Sequence, residues 1–425
     1  MKIRFYFPTM FLIFFTMFIL QGQGDGLLIE NGKRIFPIGW YSMPKDDVSL
    51  KEMVNAGINL INCSSKEDLD RLNSEGIQGW MPLKLQDGVT SEFKEKVLSV
   101  VNHPALAIWE GPDEVVWNFT AYSGLFNSLK VHEKAGAWWE QTPGAVSYAN
   151  EKSKVIIPNI IDAVSYVRSV DPYNRQIWIN EATRSDAAYV RQYLDFIDIT
   201  GADNYPIKNK LTPGSDGIRN SVDEIRTVTQ RFLEIGKGKP VWIILQAFSW
   251  PELGGQYTNR PQAYPSFNES RYMAYAAIAT GARGILYWGA TYTKSKDFLQ
   301  SIYAVTSELS ALQQFLTAPD EEQVIVNTNI DPVEKLKPLS CIARRYGRDW
   351  MVVVINETDK YQMSVVVEGL KHLNGLKLME LYSNQEVVVS NEEIILRMKP
   401  REVRVFATGR KWETSQFKGR DYPGF

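Results

Sequence analysis

The chain has 425 residues, 44% of them hydrophobic and 23% charged, with a formal net charge of −2. That is globular composition, long enough for one large domain and a smaller one. It carries no basic excess of the kind a nucleic-acid partner selects. Aromatics reach 12%, with 12 Trp and 20 Tyr, which serves either core packing or the stacking of flat ligands.

Lys2 and Arg4 precede an almost wholly apolar run over residues 5–20, followed by the small polar Gln21, Gly22, Gln23 and Gly24. This order reads as a secretory signal over residues 1–24. The run is short for a membrane span of about 20 apolar residues. The expectation is a secreted or periplasmic protein, with no membrane partner once the signal is removed. Two Cys (Cys63, Cys341) and three scattered His (His103, His132, His372) form no HExxH, CxxC or His pair, so no metal site is expected. No Gly-rich phosphate loop is present, and no cofactor is expected.

Strand patterns follow at residues 36–41, 58–62, 77–82, 106–110, 176–181, 197–202, 241–246 and 284–288. Each is short and apolar on both faces, as buried parallel strands are. Amphipathic helix patterns lie between them, at 49–56, 66–75, 91–101, 155–170, 185–194, 222–236 and 268–280. Several open on a Ser, Thr, Asp or Asn cap and close on Gly before the next strand. Eight βα units predict a (β/α)₈ TIM barrel over residues 25–318, with long insertions at 115–154 and 249–265 walling one face. A doubly wound open sheet is the alternative. From residue 319 the helices give way to alternating strands at 339–346, 350–356, 362–367, 377–381 and 402–407, which predicts an antiparallel β-sandwich to residue 409 and a loose tail over 410–425.

Chemistry concentrates at strand ends, where such folds place their sites. The fourth strand runs into Trp109, Glu110, Gly111, Pro112, Asp113 and Glu114. Adjacent carboxylates beside aromatics suggest acid/base work on a sugar; a solvated loop with an Asp cap is the bland reading. Glu114 is favoured as the proton donor and Asp113 as an orienting group. Glu181 ends the fifth strand, and Asp203, Asn204 and Tyr205 follow the sixth, either as site groups or as turn residues. Gln246 ends the seventh, where it could bind a hydroxyl or hold water. Trp40, Tyr41, Trp109, Trp250 and Trp288 complete the candidate substrate contacts, each also readable as packing.

These motifs resemble clan A-type glycoside hydrolases, and more closely a secreted bacterial glycoside-hydrolase-like group. The resemblance rests on His103 through Glu114, on Asp203, Asn204, Tyr205 and Pro206, and on Pro240 through Gln246, and it covers most of residues 27–318. It implies a barrel acting on an oligo- or polysaccharide, with Glu114 as acid. It also implies a glutamate nucleophile after the seventh strand, where this chain has Gln246. Three outcomes follow. Asp203 or Glu181 activates water across a gap of roughly 6.5–9.5 Å in an inverting enzyme. Or the nucleophile is relocated or supplied by the substrate. Or the barrel binds carbohydrate without cleaving it.

Overall fold

The computed structural model describes residues 24–120, 143–207, 221–321, 324–328 and 339–414. The candidate signal before residue 24, part of the first insertion and the end of the tail lie outside the described residues. Eight parallel strands close into a barrel: β1 Ile38–Trp40, β2 Leu60–Asn62, β3 Gln78–Pro82, β4 Leu106–Glu110, β5 Gln176–Glu181, β6 Ile199–Asn204, β7 Val241–Gln246 and β8 Gly284–Trp288. Around it lie α1 Asp47–Asn55, α2 Lys66–Ser74, α3 Ser91–Val100, α4 Val115–Thr120, α5 Pro143–Val170, α6 Ala187–Tyr193, α7 Glu224–Gly236, α8 Phe267–Thr280 and α9 Lys296–Ala311. The cap signals act as read. Ser65 and Ser266 form capping boxes, and Gly281 ends α8 with φ +118°. The helix expected from residue 155 instead starts at Pro143 and runs through Pro158.

Strand alternation sorts each barrel residue inward or outward. Inward-facing Trp80, Trp178 and Trp242 fill the interior with Ile108, Ile199, Ile244 and Leu286. The Trp178 and Trp242 rings lie 5.1 Å apart. They fit because the strands beside them carry glycine. A Cβ on Gly284 would sit 2.6 Å from Trp242 Cδ1, and one on Gly201 would sit 2.5 Å from the Trp242 carbonyl oxygen. A hairpin of Leu28–Glu30 and Lys33–Ile35, absent from the sequence expectations, closes the opposite end. Leu28 enters the barrel interior, and Trp242 Nε1 donates to Gly26 O at 2.8 Å.

Beyond α9 the chain forms two antiparallel sheets. One holds β9 Ile325–Thr328, β12 Met363–Glu368 and β15 Ile394–Met398; the other holds β10 Leu339–Tyr346, β11 Asp349–Asn356, β13 Lys377–Glu380, β14 Glu386–Val388 and β16 Val403–Ala407. β11 shows why this sandwich is fixed to the barrel. Val352 and Val354 face the sheet of β9, β12 and β15, while Met351, Val353 and Ile355 join the barrel's outer core. The tail expected to be loose is ordered at its start, where the Trp412 ring lies 4.5 Å from that of Phe315.

A buried ion pair ties the sandwich to the barrel helices. Arg271 of α8 donates to both oxygens of Glu308 on α9, at 2.8 and 2.7 Å, and to Val403 O of β16 at 2.6 Å. Removing one member leaves an uncompensated buried charge. Arg271→Ala is expected to cost roughly 3–5 kcal/mol, read as a lower midpoint of urea unfolding, with the sandwich signal moving together with that of the barrel.

Candidate active site

The strand ends that carry chemistry open on one face of the barrel. β4 ends in Glu110, which faces inward. Its Oε1 accepts from the Tyr41 hydroxyl at 2.8 Å; its Oε2 accepts from Trp80 Nε1 at 2.8 Å and Asn62 Nδ2 at 3.2 Å. Burial, with the charge of Asp113 added, raises its pKa to about 8 against the opposing effect of those hydrogen bonds. The sequence reading passed over Glu110; inward parity at the last position of the strand was the available signal.

The chain then turns sharply. The Gly111 and Glu114 amides donate to Trp178 O at 2.7 Å and Asn180 O at 2.9 Å, so pairing with β5 continues past the strand. A Cβ on Gly111 would lie 2.4 Å from Ile179 Cγ1, which reserves the position for glycine. Glu114 sits at φ +49°, a costly conformation for a side chain of its size and one that recurs at functional sites. Asp113, which lines the cavity at the cleft mouth, accepts from Asn180 Nδ2 at 2.8 Å. The Asp113 carboxyl is pushed above its ordinary range by lost hydration, against that bond.

Asp203 reaches inward from β6 and shares a hydrogen bond with Glu114. No amide or hydroxyl of the described residues donates to the buried Asp203 Oδ1, so the contact depends on a proton held by the pair itself. Burial, then the charges of Asp203, Asp113 and Glu181, push Glu114 up to about 10. Burial, then Asp113, push Asp203 up to about 7. The two carboxyls therefore titrate as one unit that holds a single proton near neutrality. They touch, which corrects the expectation that Asp203 stands across a wide gap from the acid.

Glu181 faces outward and is wholly buried. Its oxygens accept from Val116 N at 3.1 Å, Tyr193 Oη at 2.7 Å and Ser185 Oγ at 2.5 Å. Its role as a water-activating base is corrected: it caps the start of α4, the helix that follows Glu114. Gln246 faces inward but does not reach a ligand. Its Oε1 accepts from Ile207 N at 2.9 Å, and its Nε2 donates to Ile207 O at 2.9 Å and Phe248 O at 3.0 Å. It pins the turn after β6 instead of binding a hydroxyl.

Three further expectations are corrected by strand parity. Trp40 points outward to Tyr303 of α9, with ring centroids 5.7 Å apart, and Trp109 points outward to donate to Asp171 at 2.8 Å. Asn204 also lies on the outward, buried side of β6. The aromatics that do line the mouth are Tyr41, Tyr205, Trp250 and Trp288. Tyr205 stacks on Trp288 at 5.5 Å and 25°, with Phe248 edge-on to both. Beside them a cavity of about 600 Å³ is lined by Glu110, Asp113, Lys84, Phe119, Tyr148 and Lys152. Among the described residues no His, Cys, Asp and Glu group has the arrangement of a metal site.

The closed (β/α)₈ barrel followed by a β-sandwich is similar in fold to solved glycoside hydrolases. A family 5 glycoside hydrolase from Bacteroides vulgatus superposes over 92% of this chain and 96% of its own, at TM-score 0.55 and 13% identity. A β-galactosidase from Bacillus circulans sp. alkalophilus superposes over 88% and 99%, at TM-score 0.52 and 8% identity. The chain spans only 60% of the length of a β-galactosidase from Marinomonas ef1 (65% of this chain covered, 14% identity, TM-score 0.45). No protein-family model matches the sequence, and neither does any curated protein.

Two outcomes follow from this wiring. Gln246→Glu removes both side-chain donors and leaves the carbonyls of Ile207 and Phe248 unpartnered. It is expected to cost about 2–4 kcal/mol in chemical denaturation, without gain of function. The second concerns pH. A carboxyl with a raised folded pKa stays protonated in the fold but ionises in the unfolded chain above about pH 4. Stability is therefore lost as pH rises from there toward the folded value. Glu114→Gln is expected to match the wild-type melting temperature at pH 4 and exceed it at pH 8.

Proposed function

We propose that the protein is a secreted glycoside hydrolase that cleaves O-glycosidic bonds of an oligo- or polysaccharide. Glu114 is the general acid and Asp203 the carboxylate that shares its proton. The observation that carries this reading is the contact of the Glu114 and Asp203 carboxyls at a mouth beside stacked aromatics. A glycosidase acid must be protonated at working pH, and burial among carboxylates does this for Glu114. The Tyr205 and Trp288 faces suit the apolar face of a sugar ring. The glycoside hydrolases that share the fold support the same class. Secretion rests on Lys2, Arg4 and the apolar run that follows.

In this reading the sugar enters beside Tyr205 and Trp288, and Glu114 gives its proton to the leaving oxygen as the C–O bond breaks. Asp113, held by Asn180, orients a hydroxyl at the mouth. Glu110 stays below the pair, keeping Tyr41 in place. A second reading, a barrel that binds glycans without cleaving them, is favoured by Gln246, whose side chain is fully engaged where related enzymes carry a nucleophile.

The test is hydrolysis of a broad oligosaccharide panel by wild type and Glu114→Gln, with product anomers followed by NMR. Cleavage is expected, falling about 10²–10⁴-fold in the variant. The pH profile is expected to be a bell: the acid limb, near pH 7, is set by a second proton on the pair, and the alkaline limb by loss of the first. Asp203→Asn should abolish the acid limb. Glycan binding that survives in both proteins, with no panel member cleaved, would establish the second reading.

A further inference from the structure

Glycosidases that use two protein carboxyls hold them about 5–5.5 Å apart for a covalent intermediate, or about 6.5–9.5 Å apart to admit water. Glu114 and Asp203 satisfy neither spacing. Both backbones are held: the Glu114 amide is bonded to Asn180 O, and Asp203 lies in ladder register with Ile244 of β7. None of the other carboxyls at the mouth takes the missing place: Asp113 directly precedes Glu114 on the same turn and is held there by Asn180. β7 ends in Gln246, tied at both ends to backbone. Glu181 faces away and accepts three hydrogen bonds. Glu110 is engaged by three donors in the barrel mouth, and burial keeps it protonated at neutral pH. An uncharged carboxylic acid is a poor nucleophile. The protein thus offers a proton donor and a proton partner, with no nucleophile facing them.

We infer that the substrate supplies the nucleophile, and that the site cleaves β-glycosides of 2-acetamido-2-deoxy sugars. This rests on the hydrolase reading above and names its substrate class. The acetamido carbonyl oxygen, trans to the leaving group, forms the bond to C1 as the glycosidic bond breaks. Glu114 gives its proton to the leaving oxygen. The amide N–H proton passes to Asp203, which leaves a neutral oxazoline. Water then attacks C1, its proton goes to Glu114, and the C1–oxazoline bond breaks while Asp203 returns its proton to nitrogen. The free sugar keeps its anomeric configuration, and one water is consumed.

Three observations fit this sequence beyond the missing nucleophile. The pair holds one proton at every stage, first on Glu114 and then on Asp203, so two carboxyls in contact match the count of charges throughout. Asp203 Oδ1, buried and without an amide or hydroxyl donor, is an acceptor suited to an amide N–H. The Tyr205, Trp288 and Phe248 rings pack on one another at the same mouth, an apolar surface that suits an acetamido methyl.

The experiment compares p-nitrophenyl β-glycosides of N-acetylglucosamine and N-acetylgalactosamine with the plain β-glucoside and β-galactoside, on the intact chain. The acetamido substrates are expected to be cleaved at least about a hundredfold faster, in line with losing one catalytic group. Fluorination of the acetamido methyl, which weakens its carbonyl oxygen, should lower kcat stepwise. Asp203→Asn should reduce kcat far more than it changes KM. Glu114-dependent cleavage of plain hexosides at equal rates overturns the inference and leaves the hydrolase reading standing. So does a 2-deoxy-2-fluoro glycoside trapped on Glu110 by mass spectrometry. If neither class is cleaved, the hydrolase reading falls and takes this one with it.

Discussion

Five carboxyl groups (Glu110, Asp113, Glu114, Glu181 and Asp203) gather at one end of the barrel, and among the described residues none of them forms an ion pair. Buried anions without counter-ions are untenable, so protons do the neutralising. Most of the architecture around the mouth follows from that constraint. Tyr41, Asn62, Trp80, Asn180, Ser185 and Tyr193 all turn hydrogen-bond donors toward carboxyl oxygens. The indole-filled interior beneath keeps the region dry, which raises the proton affinity further. Elsewhere the chain pairs its buried charges conventionally, as Arg271 with Glu308 and Arg175 with Asp171 show.

The position of Glu114 is overdetermined, which is how a residue at φ +49° persists. Gly111 lets the chain approach Ile179 of β5. Two amides of the turn then bond to β5 carbonyls, and Glu181, on the outer side of the same strand, fixes α4 from behind. A carboxyl that is itself unsuited to catalysis thereby holds the one that is suited. Gln246 does comparable work across the mouth, locking Ile207 so that Asp203 and Tyr205 are presented by a rigid turn.

The barrel was legible because its parallel strands are continuous apolar runs with caps and glycine stops between them, and four of them coincide with the expected bounds (106–110, 176–181, 241–246 and 284–288). The hairpin over Leu28–Glu30 and Lys33–Ile35 was not, since its strands are three residues each and pair only with each other. At the site, sequence marked the right rim but not the direction each side chain takes. Trp40, Trp109, Asn204 and Glu181 stand on the outward parity of their strands, and Glu110 on the inward one. The engagement of Gln246 could not be read at all, because its partner Ile207 lies 39 residues away in a turn without a signature.

The hairpin that closes the barrel also sets an order of events. Its lead-in segment bonds to Gln176 and Trp242, at sequence separations of 150 and 216. Loop closure over such spans is slow, and it cannot start before the distant strand exists. During synthesis Gly26 gains its partner on the fifth strand only after about 150 further residues, and its bond to Trp242 must wait until the seventh strand has emerged. The indoles of the interior stay open to water from below through most of translation, and the seal that dries the carboxyl cluster is among the last features to form.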